Sequence, residues 1–203
     1  GNVNINMPWA DKTAPLEKTY KSFTRNGANL SSNDKEHLRR IDKELARLKL
    51  KFSENVLAET QHYQWVITHK EELSGLPDFV LEMLATEAKK HHKEGWVITL
   101  DLPVYTAVMK YANNRELRRK LFIDYHSRCA GDSAYNNEAN VLRIAELRAQ
   151  RASLLGYPDY ASLVLEERMA ETSEKVMDFL NKLLAKAKPQ AIKELEELKD
   201  FSG

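Results

Sequence analysis

The 203-residue sequence contains one cysteine, Cys129, so no internal disulfide can form and a disulfide scaffold is excluded. It has almost no net charge, 31 basic residues standing against 30 acidic ones, which removes the electrostatic case for a nucleic acid or an anionic membrane as partner. No run of about 18 apolar residues occurs, so no segment is suited to cross a bilayer as a helix. The first residues lack the charged and apolar regions of a signal peptide. Neither a low-complexity segment nor an internal repeat is visible.

Glycine and proline are also scarce, at seven and six, while 30% of residues are charged. That balance suits long, surface-charged helices better than a sheet protein. The expected fold is mainly α, a long-helix bundle of about seven to nine helices with one short strand near residues 96–101. Residues 1–11 (GNVNINMPWAD) have no helical period and read as a mobile arm or the remnant of a tag, leaving 12–203 as a single helical unit.

The chain is organised around Gly95 to Cys129. Trp96, Ile98 and Leu100 alternate with Val97, Thr99 and Asp101, the period of two of a half-buried strand, and Gly95 can end the helix before it. Pro103 presets the next helix near its start, with Val104, Val108 and Tyr111 on one face. Asn113 and Glu116 have the spacing of a capping box for a further helix bearing Leu117, Leu121 and Tyr125.

Elsewhere the spacing predicts helices throughout. One runs over Leu16 to Arg25, with Gly27 and Asn29 in the turn after it. A long one, capped by Ser32 or Asn33, carries the stripe Leu38, Ile41, Leu45, Leu48, Phe52, Val56, Tyr63 and Val66 over roughly eight turns. Pro77 opens a helix using Phe79 or Val80 with Met83 and Leu84. Asn136 or Asn137 caps another that ends at Gly156, with Val141, Ile144, Leu147, the stem of Arg151 and Leu154 or Leu155 inward. Tyr157 and Pro158 restart the chain in a shorter helix. Thr172 or Ser173 caps the last one, where Val176, Leu180, Leu183, Ala187, Leu195 and Leu198 mark the expected buried face and Pro189 should bend or break it.

Several stretches resemble one family in the right order. The strand, the Pro-led helix and the Asn-Arg-Glu-Leu-Arg run resemble the zinc metallopeptidases that include thimet oligopeptidase, oligopeptidase A and peptidyl-dipeptidase. KFSENVLAET (51–60), EELSGLP (71–77), LRAQRASLLGYPDYAS (147–162) and RMA (168–170) ahead of VMDFLNKLL add to the likeness. TYKSFTRNGANLS (19–31) most resembles the peptidyl-dipeptidase, or dipeptidyl carboxypeptidase, branch. The resemblance implies an intact parent that hydrolyses peptides, releasing C-terminal dipeptides, with zinc as cofactor.

That family's zinc motif is a helical H-E-x-x-H, in which i and i+4 place two imidazoles on one face. None of His37, His62, His69, His91, His92 and His126 begins it. The resemblance places the metal helix C-terminal to the matched region in longer proteins. The chain is therefore expected to be an internal, inactive piece with no catalytic, cofactor-binding or metal-ligating residues of its own, and no zinc. Trp96 and Ile98 are the candidates for lining a substrate cleft, because a strand in a helical protein offers an extended peptide backbone groups to pair with.

Other chemistry-bearing patterns have blander readings. Glu59 and His62 form one E-x-x-H, but a di-iron site needs two. The paired His91 and His92 close a helix with Lys89, Lys90 and Lys93, where carbonyl ends favour positive charge. The run Arg115 to Lys120 could meet a peptide carboxylate, but reads first as a solvated face. Expected partners are the parent's peptide substrates and the remainder of the parent chain, with no nucleic acid and no membrane. Self-association is expected too, through the long Leu38 to Val66 helix. The compartment expected is the cytoplasm, with periplasm or export as alternatives. The competing function is a free-standing helical protein-interaction module.

Overall fold

The computed structural model describes residues 13–202, so the expected N-terminal arm at 1–11 lies outside the described residues. The elements run α1 (Thr13–Arg25), α2 (Ser32–His62), β1 (Trp65–Ile67), a 3-10 turn (Lys70–Leu73), α3 (Asp78–Lys90), β2 (Trp96–Ile98), α4 (Leu102–Tyr111), α5 (Arg115–His126), α6 (Glu138–Leu154), α7 (Tyr160–Leu165) and α8 (Ser173–Ser202). The fold is mainly α, as expected, with eight α-helices among the described residues. None is long and apolar enough to cross a membrane. Two compact units are distinguishable, one of residues 44–145 and one of the flanking segments on either side.

In the 44–145 unit, the expected strand is real but shorter, ending at Ile98, and it has a partner that periodicity did not reveal. β1 and β2 pair antiparallel, with Trp65 opposite Ile98, Val66 opposite Val97 and Ile67 opposite Trp96. Side chains alternate across a strand, so Trp65, Ile67, Trp96 and Ile98 share one face. That face joins a core formed with Leu73, Val80, Leu84, Val108, Leu117 and Leu121. Each such aliphatic side chain, fully buried, contributes about 1.5–3 kcal/mol relative to exposure. Val66, assigned above to the stripe of the long helix, lies instead on β1, because α2 stops at His62.

Turns fix where these pieces meet. Gly95 has φ +84°, and a Cβ there would lie 2.3 Å from the carbonyl oxygen of Ile67. Only glycine allows so close a backbone approach at that φ. Gly75 is comparable: φ is +88°, and a Cβ would come within 2.5 Å of the Tyr111 carbonyl oxygen. There the amide of Asn113 donates to the Ser74 carbonyl at 2.8 Å. Asn113 is thus spent on the turn, and the cap of α5 is Asn114, whose side chain accepts from the amides of Glu116 and Leu117.

In the flanking unit, Leu38 and Ile41 of α2 and Leu147 and Ala152 of α6 are buried. Ser31 caps α2, its hydroxyl accepting from the amide of Asp34 at 3.2 Å. Arg25, at the end of α1, ties α1 to the α7 region: its guanidinium bonds Glu166 and donates to the Leu163 carbonyl at 2.6 Å. Glu166 also accepts from the Tyr157 hydroxyl at 2.5 Å and pairs with Lys21 at 3.2 Å. α8 departs from the expected break and from the expected buried face. It runs through Pro189 unbroken, and none of its residues is buried, so the face at Val176, Leu180, Leu183, Ala187, Leu195 and Leu198 is open.

Two outcomes follow. Gly95→Ala should lower unfolding free energy by about 2 kcal/mol or more, read by urea titration, because the new Cβ meets backbone that cannot step aside. The Tyr157 hydroxyl first, then Lys21 and Arg25, hold the Glu166 carboxyl below its ordinary value of 4.5. A depressed carboxyl stabilises above its unfolded pKa and loses that stabilisation as pH falls through the folded one. The stability gap between wild type and Glu166→Gln should therefore be full near neutrality and close below pH 4.5; an unchanged gap in acid would refute the assignment.

Candidate functional site

The two-stranded ribbon and the aromatic side chains around it form the candidate site. Trp96 is half-buried, packed on the core with part of its surface open, while Ile98 is fully buried at 0% exposure. A ligand can touch the first and not the second. β2 is closed in, since Val97 is also buried and α3 packs against the strand. β1 is the accessible strand, with Trp65 half-buried and Val66 exposed. An isolated pair leaves each strand an outer edge, and β1 carries the more exposed side chains.

A charged and aromatic rim adjoins β1. The Tyr63 hydroxyl donates to Asp124 at 2.5 Å, and Lys120 Nζ pairs with the same carboxylate at 2.5 Å. The ammonium lies 4.6 Å from the Trp65 ring centroid and 5.9 Å from that of Tyr63, within cation–π range. Burial first, then Asp124, pushes the Tyr63 hydroxyl far above its ordinary value, so it is a fixed donor and no base. Beyond it Tyr105 stacks on Tyr125 at 3.9 Å, and the guanidinium of Arg128 lies 4.0 Å over Tyr125. The rim can recognise; it has no nucleophile paired with a base.

The remaining sequence candidates are occupied in holding the fold. Glu59 accepts from the Cys129 amide at 2.5 Å and the Ser133 hydroxyl at 2.9 Å, which anchors the loop after α5. His62 bonds the Ala58 carbonyl and stacks on Tyr135 with centroids 5.7 Å apart. His91 is engaged at both ring nitrogens, by Glu87 at 3.1 Å and Gln64 at 2.9 Å. Within the basic run, Arg118 donates to the Ala112 carbonyl, Arg119 approaches Glu116 at 3.9 Å, and Lys120 is committed to Asp124. Among the described residues no group of three or more His, Cys, Asp or Glu is placed to hold a metal. These donors do not fit a zinc site.

An open apolar hollow of about 530 Å³ lies between Phe52, Val56, Cys129, Val141 and Leu142. Asn137, at its edge, is 3% exposed and fully engaged, donating to the Phe52 carbonyl at 3.1 Å and accepting from Asn55 at 2.9 Å. The hollow therefore offers an apolar shape in which Asn137 is already committed.

Glu59→Ala should cost about 1–3 kcal/mol in a denaturant titration, the penalty for stranding a buried amide and hydroxyl. Ferrous or zinc ions added to wild type should leave the melting temperature unmoved. A metal-dependent rise abolished by the same substitution would restore the E-x-x-H reading.

Residues 108–202 match the model of Peptidase family M3. Over 194 residues the chain is 37% identical to the probable cytosolic oligopeptidase A of Arabidopsis thaliana, covering 92% of this chain and 27% of that protein. It is 35% identical over 190 residues to oligopeptidase A of Haemophilus influenzae, covering 92% and 28%. To dipeptidyl carboxypeptidase of Escherichia coli it is 28% identical over 184 residues, covering 90% and 27%. The chain thus spans little more than a quarter of the length of these relatives. From the family match, and from likeness sustained along nine-tenths of its length, the chain belongs to peptidase family M3.

Proposed function

We propose that the chain is a non-catalytic helical part of a longer metallopeptidase of the oligopeptidase A kind, which cleaves bonds within peptides and holds zinc through residues outside these 203. The observation that carries this is the alignment of nine-tenths of the chain with little more than a quarter of proteins named as peptidases. Among these relatives, identity is higher to proteins named oligopeptidase A than to dipeptidyl carboxypeptidase, 37% and 35% against 28%. Release of C-terminal dipeptides is the second reading, favoured by the resemblance of residues 19–31 to that branch. The name of the Arabidopsis relative supports the cytoplasm as compartment.

Within this reading the ribbon meets the substrate. An extended peptide would add to the outer edge of β1, with backbone hydrogen bonds supplying sequence-tolerant affinity. Trp96 would border it with its open edge, and Ile98 would hold Trp96 and Trp65 in place from beneath. The remainder of the polypeptide is the obligatory partner. A free-standing interaction module is the competitor: it needs no H-E-x-x-H in the reading frame, whereas the peptidase does.

Two measurements test this. The 203-residue chain should show no chelator-sensitive hydrolysis of a blocked peptide, and the full reading frame should. An oligopeptidase cleaves a C-terminally amidated substrate internally; an enzyme that must recognise a free carboxylate does not, and that outcome would select the dipeptide-releasing reading. In the full-length enzyme, Trp96→Phe should raise KM several-fold with kcat little changed. Lowered stability with unaltered kinetics of the folded fraction would remove Trp96 from the cleft.

A further inference from the structure

α1 is a helix without a core. None of its described residues is buried, and its large apolar side chains Leu16, Tyr20 and Phe23 are between 63% and 70% exposed. α2 is held the other way: Leu38, Ile41, Leu45 and Leu48 are buried, so that part of its stripe is not free for the self-association expected of it. α1 has only 13 residues, and isolated helices shorter than about 12–15 residues are marginal in water. Something other than apolar burial must keep it helical and in place.

Its hold is ionic. From α1, Lys21 and Arg25 reach the segment 157–167, and both end on one carboxylate. Lys21 Nζ lies 3.2 Å from Glu166 Oε1, and the Arg25 guanidinium pairs with Glu166 Oε2. Tyr157 donates its hydroxyl to that second oxygen, and its ring centroid lies 5.8 Å from the guanidinium carbon of Arg25. Arg25 also donates to the Leu163 carbonyl and faces Glu167 at 3.5 Å. Glu17 and Lys18 line the same hollow as Lys21, Glu166 and Glu167, while Arg151, paired with Asp42, borders Arg25 and Glu167. Among the described residues, Glu166 is the acid that both cations share. Neutralising it leaves a guanidinium only 15% exposed with Glu167 alone, whose side chain stands about half in water. A largely buried charge that has lost its partner is better solvated outside, and α1 must move for Arg25 to get there.

We propose that α1 is a charge-latched strap: it is docked and helical while Glu166 is ionised, and it undocks and melts as a unit, leaving the buried helices in place, when that carboxylate is neutralised or screened. The latch can open because Lys21 and Glu166 are partly exposed, where an ion pair is weak and salt shields it. The Tyr157 hydroxyl first, then Lys21 and Arg25, hold the Glu166 carboxyl below its ordinary value of 4.5, so the latch is closed above that pH and opens below it. The inference is independent of the peptidase reading.

Amide hydrogen exchange on the 203-residue chain, read segment by segment and corrected for intrinsic rates, tests this. At neutral pH the amides of 17–25 should exchange about tenfold or more slower than an unstructured peptide, and Glu166→Gln should bring them within about threefold of it while Leu38 to Leu48 keep their protection. Salt at about 1 M should do the same to wild type and add nothing to the variant. In wild type the release should fall below pH 4.5, and Tyr157→Phe, which removes the strongest support of the ionised carboxyl, should move its midpoint up toward that value. Protection of α1 that is unchanged in Glu166→Gln, or lost only together with that of α2, overturns the proposal. A release midpoint that Tyr157→Phe leaves in place overturns it equally, by putting the hold on some other group.

Discussion

The ribbon depends on one close approach. The 44–145 unit holds a three-residue strand that could not persist alone, and it persists because Gly95 lets the chain come against Ile67 closely enough for Trp96 to fall opposite it. A two-stranded pairing this short is marginal in water. Here its apolar face is one wall of a core whose other walls are α3, α4 and α5, so the packing of three helices stabilises the pairing and the pairing positions the two tryptophans. Disturbing the glycine would disturb all of these together.

Much of this was legible in sequence, and the misses have physical causes. Helical periodicity located the helices, and alternation located β2. β1 escaped because three residues are too few for alternation, and because Tyr63 and Val66 continue the spacing of the α2 stripe by coincidence. A sharper signal was present: Trp-Val-Ile-Thr stands at 65–68 and again at 96–99, and two identical β-favouring runs can pair with each other. The caps were misplaced by one residue at α2 and at α5. In each case several capping side chains stand in a row, and only the turn geometry decides which is free to fold back.

The site was legible in part. Trp96 was singled out for its strand, but Ile98 proved to lie wholly in the core, and the rim of Tyr63, Lys120 and Asp124 was not foreseen. Those residues come from α5 and the segment before β1, and no local spacing links them. Histidine pairs and basic runs drew attention and turned out to be engaged in holding turns and helix ends. The opposite error occurred at α8. An amphipathic pattern states that a helix has an apolar face; it does not state what covers that face, and here nothing within the described chain does.

The lone thiol gains a use from its setting. Cys129 is 5% exposed, holds φ +60°, and is pushed up to about 11 by burial and by the neighbouring Glu59 carboxylate. Since the thiolate is the reactive form, a folded molecule presents almost none of it. Alkylation must wait for the Glu59-anchored loop to open, so the labelling rate of the sole thiol becomes a clock for that local opening, readable without introducing any probe into the chain.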